Sequence, residues 1–136
     1  MADLTTLVVS DVMTRDVHVV RRNTRLADIA EIFKRHDYSA VPVMDDTQMI
    51  GLISQLDFLR AFVGGGTSGS GGKASPLQTT AESIMHPDPD TFAPGDSLEK
   101  VLDCMVETRY RSFPVIEDDR LAGIVSRRDI VSALQN

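Results

Sequence analysis

Two short patterns, each a serine followed three residues later by an aspartate, could carry chemistry in this chain. They read Gly51-Leu52-Ile53-Ser54-Gln55-Leu56-Asp57 and Gly123-Ile124-Val125-Ser126-Arg127-Arg128-Asp129. In each, an apolar strand-like run ends at the serine, where we predict that a helix begins. Free amides at a helix start bind phosphate, and a nearby carboxylate can accept both hydroxyls of a ribose. The pattern is therefore suited to a nucleotide, with Ser54 and Ser126 for phosphate and Asp57 and Asp129 for ribose.

The same pattern also has a purely structural interpretation. A serine at the N-cap accepts a hydrogen bond from the amide three residues on, while the aspartate reaches back to the serine amide. This capping box satisfies amides that the helix leaves unpaired. Because both interpretations use one geometry, the sequence leaves them open.

The two patterns lie at equivalent points of a tandem duplication. A shift of 72 positions places residues 10–63 on residues 82–135 without a gap. Identical pairs include Met13/Met85, Tyr38/Tyr110, Pro42/Pro114, Gly51/Gly123 and Ala61/Ala133. A unit of about 55 residues buries little core alone, so we expect the copies to pack as one pseudo-twofold body. The predicted boundaries are 8–63 and 79–136, with a linker over 64–78.

Each repeat presents the same order of predicted elements: a short extended piece, a helix, two strands and a second helix. The first helix is predicted to begin at Thr24 or Asp96, with Glu99 completing a capping box in the second repeat. Apolar residues recur at helical spacing, as Leu26, Ile29, Ala30 and Phe33, and as Leu98, Val101, Leu102 and Met105. The strands are predicted over 39–44 and 49–53, and over 112–116 and 121–125, with acidic turns between them. The fold class is α/β in the α+β sense, with two βαββα repeats.

Composition bounds the class of protein. The 136 residues are 42% hydrophobic and 25% charged, as in soluble globular proteins. The net charge of −6 gives no general attraction to nucleic acid or to an anionic membrane. There is no apolar run of the roughly 20 residues that a membrane span needs, and no secretory signal pattern, so we expect a cytoplasmic protein.

The remaining reactive residue types do not assemble a catalytic set. The single cysteine, Cys104, aligns with Ile32 on a predicted helix, so we expect a buried structural thiol. His18, His36 and His86 show no metal-ligand spacing, and the acidic turns are expected to be solvated. We therefore predict no metal and no enzymatic activity, and nucleotide hydrolysis or transfer is the least favoured alternative.

The segment between the repeats is rich in glycine and serine. It runs from Gly64 to Ser75, and its composition is typical of a flexible linker. The dipeptide Gly72-Lys73 occurs in phosphate-binding P-loops, but Thr67 and Ala74 stand where that motif needs glycine and serine or threonine. We therefore interpret the segment as a tether.

The order of these motifs resembles a tandem pair of cystathionine β-synthase (CBS) domains. The resemblance rests on Met13-Thr14, Tyr38 to Val43 and Gly51 to Asp57, and again on Ile84-Met85, Phe113-Pro114-Val115 and Gly123 to Asp129. It implies a Bateman module, in which two βαββα repeats pack with pseudo-twofold symmetry. It also implies clefts between the repeats that bind AMP, ADP, ATP or S-adenosylmethionine, with no required cofactor.

The resemblance assigns the serines to phosphate and the aspartates to ribose. It further implies that the clefts are lined by Val17, Ser39, Ala40, Pro42, Thr91, Arg111, Ser112 and Pro114. Arg111 replaces Ser39, and Arg127-Arg128 replace Gln55-Leu56, so the second repeat carries three extra cations. Arginine suits phosphate recognition, although Arg127 and Arg128 could equally be solvated residues of a first helical turn.

Two functions from different classes follow. The first is a non-enzymatic sensor that binds an adenosine-containing ligand and signals to a separate partner protein. The second is an architectural dimerisation module whose clefts are empty or vestigial. Homodimerisation is expected in either case, because apolar residues of the last helices exceed what a thin sheet can cover. These residues are Phe58, Leu59, Phe62, Ile130, Val131 and Leu134.

Overall fold

A computed structural model describes residues 4–63 and 78–135 of the chain. The first repeat contains α1 (Val9–Val12), β1 (Val20–Arg21), α2 (Leu26–Arg35), β2 (Ala40–Asp45), β3 (Gln48–Ser54) and α3 (Gln55–Arg60). The second contains α4 (Ala81–Ile84), β4 (His86–Pro87), α5 (Leu98–Thr108), β5 (Ser112–Glu117), β6 (Arg120–Ser126) and α6 (Arg127–Leu134). The predicted α+β class is confirmed. None of the described helices has both the length and the apolar composition of a bilayer span.

The chain divides into two compact units that do not coincide with the sequence repeats. The first-repeat unit comprises residues 18–88, and the second-repeat unit comprises residues 1–17 and 89–136. Each unit therefore contains the body of one repeat together with the segment that leads into the other. The predicted linker, with Lys73 and the glycine-rich P-loop alternative, falls on residues 64–77, which lie outside the described part of the chain.

The first-repeat unit is built on a four-stranded sheet of order β1-β2-β3-β4. β1 runs parallel to β2, and β2 and β3 form an antiparallel hairpin with Ala40 opposite Ser54. β4 adds antiparallel to β3, with His86 opposite Leu52. The apolar stripe of α2 covers this sheet, as its period predicts. The buried cluster consists of Val20, Leu26, Ile29, Val41, Val43, Ile53 and Ala81.

The second-repeat unit has the same plan with shorter outer strands. β5 and β6 form the hairpin, with Ser112 opposite Ser126. Single bridges, Phe92 to Val115 and Thr14 to Ile124, stand where β1 and β4 stand in the first-repeat unit. Its buried cluster consists of Val9, Met13, Phe92, Leu98, Val101, Met105, Phe113, Val115, Val125 and Ile130.

The predicted starts of the first helices were wrong by one residue. The helix boundary residues are Arg25, which makes no side-chain cap, and Ser97, whose hydroxyl accepts from Lys100 N. The predicted cap residues instead accept hydrogen bonds from amides that precede them in the sequence. Thr24 Oγ1 accepts from Arg21 N at 2.9 Å, and Asp96 Oδ2 accepts from Ala93 N at 2.7 Å. Such oxygens can close the turn before a helix as readily as they cap it, so the capping box with Glu99 does not form.

Both hairpins turn through the predicted acidic residues. Asp46, Asp118 and Asp119 have φ angles of 56°, 53° and 63°. Aspartate tolerates this left-handed conformation better than most residues, because its short polar side chain can bond locally. All three are exposed.

Candidate functional site

The first candidate site lies where β3 runs into α3. Ser54 is still extended, with φ −87° and ψ 166°, and its hydroxyl accepts from Asp57 N at 3.0 Å. Asp57 Oδ2 accepts in return from Ser54 N at 2.9 Å. The capping geometry that the sequence allowed is therefore present in the first-repeat unit. It holds the Asp57 side chain in place in the first turn of α3.

The second candidate site repeats this geometry where β6 runs into α6. Ser126 Oγ accepts from Asp129 N at 3.1 Å, and Asp129 Oδ2 accepts from Ser126 N at 2.8 Å. Ser126 and Asp129 are half-buried, as are their counterparts in the first-repeat unit. Each carboxylate is thus held in place without being sealed from solvent, as an acceptor of ligand hydroxyls must be.

Thr14 extends the second site from a distant part of the sequence. Its hydroxyl donates to Asp129 Oδ1 at 3.2 Å. The backbone of Thr14 pairs in both directions with Ile124, at 2.8 and 2.9 Å. Gly123 permits this close approach, because a Cβ there would lie 2.5 Å from the Thr14 carbonyl oxygen. Sequence reasoning used Thr14 only as part of a motif and missed its contact with the site.

The first site has a different residue at the corresponding place. His86, which a shift of 72 positions aligns with Thr14, pairs with Leu52 as Thr14 pairs with Ile124. The Asp57 carboxylate accepts from Ser54 N through Oδ2. The bond from a threonine hydroxyl that Asp129 Oδ1 accepts has no counterpart of the same kind here, because the position of Thr14 is taken by His86.

The start of the preceding strand lies beside each helix start. Ser39 O accepts from Gln55 N at 3.1 Å, and Arg111 O accepts from Arg127 N at 2.7 Å. In the first-repeat unit these positions are uncharged, and the Gln55 side chain donates to Tyr38 O at 2.9 Å. In the second-repeat unit the same two positions are occupied by exposed arginines, Arg111 and Arg127. Arg128, the next residue of α6, is also exposed.

The structure separates the other predicted lining residues by unit and by burial. Ala40 and Ser112 are buried directly opposite the capping serines, while Pro42 and Pro114 lie two pairs further along and are buried in the strands. Half-buried Val17 and exposed Thr91 both belong to the second-repeat unit. The structure thus groups Ser39, Ala40, Ser54 and Asp57 in one unit, and Arg111, Ser112, Ser126, Asp129 and Arg127 in the other.

Cys104 has the properties of a structural thiol. It is half-buried against the core of the second-repeat unit, and its sulfur lies 4.0 Å from Asp90 Oδ2. Burial raises the pKa of this thiol, and the negative charges of Asp90 and Glu107 raise it further, against a smaller opposing effect of Thr108. The thiolate, which is the nucleophilic form, is therefore disfavoured.

Comparison with known proteins gives the family. The sequence model of the CBS domain matches residues 9–64 and 81–136, so this chain belongs to the CBS domain family, with two tandem copies. The resemblance read from the motifs is thereby confirmed. It covers both candidate sites and both βαββα repeats.

Several relatives span most of this chain. The chain is 29% identical over 134 residues to MJ1225 of Methanocaldococcus jannaschii, and the match covers 91% of this chain but 46% of that protein. The CBS-domain-containing protein ATU1752 of Agrobacterium tumefaciens superimposes with a TM-score of 0.82 at 27% identity, over 94% of this chain and 99% of that one. CBSX2 of Arabidopsis thaliana, solved in complex with AMP, gives 0.80 at 27% identity, over 94% and 96%.

Proposed function

We propose that this chain is a regulatory protein that reversibly binds an adenosine-containing ligand of the AMP, ADP or ATP class and signals to a partner protein. The observation that carries the proposal is the repeated Ser-Asp helix start, in which a half-buried carboxylate is held at a fixed position beside a serine hydroxyl. The similarity to CBSX2, which was solved with AMP, supports the ligand class.

The second site is the better suited to a phosphorylated ligand. Asp129 offers its carboxylate to the ribose hydroxyls, while the Ser126 hydroxyl, which accepts from Asp129 N, still has its own proton to donate to phosphate. Arg111 and Arg127 are joined by a backbone hydrogen bond of 2.7 Å and are both exposed. Two guanidinium groups on adjacent backbone can pair with phosphate oxygens by charge-assisted hydrogen bonds. This local cationic group offsets the overall charge of −6.

The first site is the better suited to the uncharged part of such a ligand. Ser39 and Gln55 stand where the arginines stand in the second site, and Asp57 has an oxygen to offer to a hydroxyl. We therefore propose that adenosine and its phosphorylated forms are distinguished mainly by the second site.

The alternative function is an architectural dimerisation module, and one observation favours it. Both capping boxes are complete without a ligand, so the Ser-Asp pairs have a structural role in any case. Exposed apolar side chains on α3 and after it supply a surface for a second copy. In that case the geometry that both repeats share stabilises only the helix starts.

A thermal-shift panel separates the two functions. AMP, ADP, ATP, S-adenosylmethionine and NAD are each added to the full chain. A ligand present at 100 times its dissociation constant should stabilise the folded state by about 2.7 kcal/mol. Stabilisation by at least one adenosine compound, and its loss in Asp57→Ala or Asp129→Ala, supports the sensor. No shift with any of the five compounds contradicts it and favours the architectural module.

Calorimetry then distinguishes capping from ligand binding. If the carboxylates hold ribose hydroxyls, Asp57→Ala and Asp129→Ala should each weaken binding at their own site by about 10- to 100-fold, the value of one or two charged hydrogen bonds. Ser126→Ala should weaken the binding of AMP more than the binding of adenosine. Wild-type affinity in all of these variants would mean that the pattern is only a cap.

A further inference from the structure

Two histidines that are 18 positions apart in the sequence meet on the surface of the first-repeat unit. The ring centroids of His18 and His36 are 5.3 Å apart, with an angle of 50° between the planes. His36 is the residue that ends α2, and its amide donates to Ile32 O at 3.0 Å. Tyr38 stacks on His36 with a centroid distance of 4.9 Å. The backbone of this cluster is therefore fixed by the helix end and by the start of β2.

We propose that His18 and His36 together bind one divalent transition-metal ion of the Zn²⁺, Ni²⁺ or Cu²⁺ class. Imidazole nitrogen is a preferred ligand of these ions. Two imidazoles that share a tetrahedral Zn²⁺ at Zn–N distances of about 2.0–2.1 Å have ring centroids roughly 5 Å apart. The observed separation of 5.3 Å is close to this value.

The surroundings fit a labile ion rather than a structural one. Both imidazoles are exposed, so an ion can enter from solvent. Within residues 4–63 and 78–135, there is no group of three or more His, Cys, Asp and Glu side chains that could hold a metal. Two protein ligands leave two tetrahedral positions for water or an exogenous ligand. Tyr38 packs against His36 and restricts its ring, as groups around a metal ligand commonly do.

The second repeat provides an internal comparison. Asp90, Thr108 and Tyr110 occupy the positions that correspond to His18, His36 and Tyr38. Thr108 Oγ1 is engaged as a donor to Cys104 O at 2.7 Å, and neither imidazole is present. The duplication therefore predicts one such metal site per chain, in the first-repeat unit.

Titration calorimetry with ZnCl₂ tests the proposal on the full chain, free of any histidine tag. We expect one ion per chain for the wild type and for the control His86→Ala, which removes the third histidine. We expect loss of measurable binding in His18→Ala and in His36→Ala. Wild-type binding in either of these variants, or equal loss in His86→Ala, would overturn the site.

A second measurement needs no variant and so does not depend on the folding of one. Nitrogen-15 spectra of the imidazoles are recorded as ZnCl₂ is added to the wild type. We expect the resonances of His18 and His36 to shift together and to saturate at one equivalent, while those of His86 stay in place. Acidification should release the ion, because metal binding requires neutral imidazole. Unchanged His18 and His36 resonances would contradict the proposal.

Discussion

Thr14 Oγ1 donates to Asp129 Oδ1 at 3.2 Å, which joins two residues that are 115 positions apart in the sequence. The Asp129 carboxylate is thereby engaged on both oxygens, since Oδ2 accepts from Ser126 N. Under the proposed function, a ribose hydroxyl at this site would share the Asp129 carboxylate with Thr14. We therefore expect such binding to be coupled to the pairing of the N-terminal segment with β6.

The first prediction compares the stability of two aspartate variants. Asp57→Ala and Asp129→Ala each remove a cap, at a cost of about 0.5–2 kcal/mol. Asp129→Ala also breaks the bond from Thr14, so its free energy of unfolding should fall further, by about 0.5–1.5 kcal/mol. Urea unfolding of both variants measures the difference.

Thr14→Val provides the control, because it keeps the shape of the side chain and removes the hydroxyl. It should destabilise the wild type and Asp57→Ala equally, and should cost nothing more in the Asp129→Ala background. Additive losses of Thr14→Val and Asp129→Ala would contradict the coupling, and so would equal stability of the two aspartate variants.

The second prediction concerns the charge of the ligand. Arg111→Ala and Arg127→Ala should each weaken the binding of AMP by about tenfold or more, because each variant loses a charge-assisted hydrogen bond to phosphate. Adenosine binding should be unchanged. Ser39→Ala and Gln55→Ala, at the matching positions of the first site, serve as controls. Calorimetry with AMP and with adenosine measures the affinity of all four variants. If the arginine variants weaken the binding of both ligands equally, the arginines do not bind the phosphate.

The body of each repeat and its Ser-Asp pair could be predicted from local patterns. The period of the apolar residues located α2 and α5, and the run into Ser54 or Ser126 located the last helices. These features depend on residues within a few positions of one another. The starts of α2 and α5 were missed by one residue, because Thr24 and Asp96 had two possible amide partners and only the folded turn decides between them.

The parts that the sequence did not reveal depend on long-range pairing. No local pattern indicates that the segment with Thr14 would join the second-repeat unit, or that His86 would join the first. For the same reason, ligand spacing in the sequence did not indicate that His18 and His36 meet, since this contact requires the segment before β1 to lie beside the end of α2. The two sites can be compared because they lie in repeats of one sequence. They differ in part because the segment with Thr14 joins the second-repeat unit and the segment with His86 joins the first-repeat unit.

The third prediction tests the docking of these segments. Gly123→Ala would drive a Cβ against the carbonyl oxygen of Thr14, which is backbone and cannot move without breaking its pair with Ile124. Gly51→Ala would meet chiefly the side chain of Met85, which is flexible. We expect Gly123→Ala to cost about 1–3 kcal/mol of unfolding free energy, and Gly51→Ala distinctly less.

The double variant Gly51→Ala/Met85→Ala is the matched control for the third prediction. Shortening Met85 removes the nearest contacts of the new methyl group, so the cost of adding it should fall when Met85→Ala is the reference, to the remainder set by the His86 carbonyl oxygen at 3.1 Å. Thermal and urea unfolding measure all four proteins. A larger loss for Gly51→Ala than for Gly123→Ala would contradict the packing at both glycines.

The fourth prediction concerns self-association. Leu56, Leu59, Phe62 and Val63 are 56%, 56%, 43% and 71% exposed, and they follow one another closely along α3 and the turn after it. We expect the chain to sediment as a homodimer of twice its 14.9 kDa, with this surface buried. Leu59→Asp should convert the dimer to a monomer, because a carboxylate would be placed in an apolar interface. Val106→Asp, on the exposed face of α5, is the control and should leave the mass unchanged. A wild type that sediments as a monomer at high protein concentration would remove the basis for this interface, and with it the architectural alternative for the function.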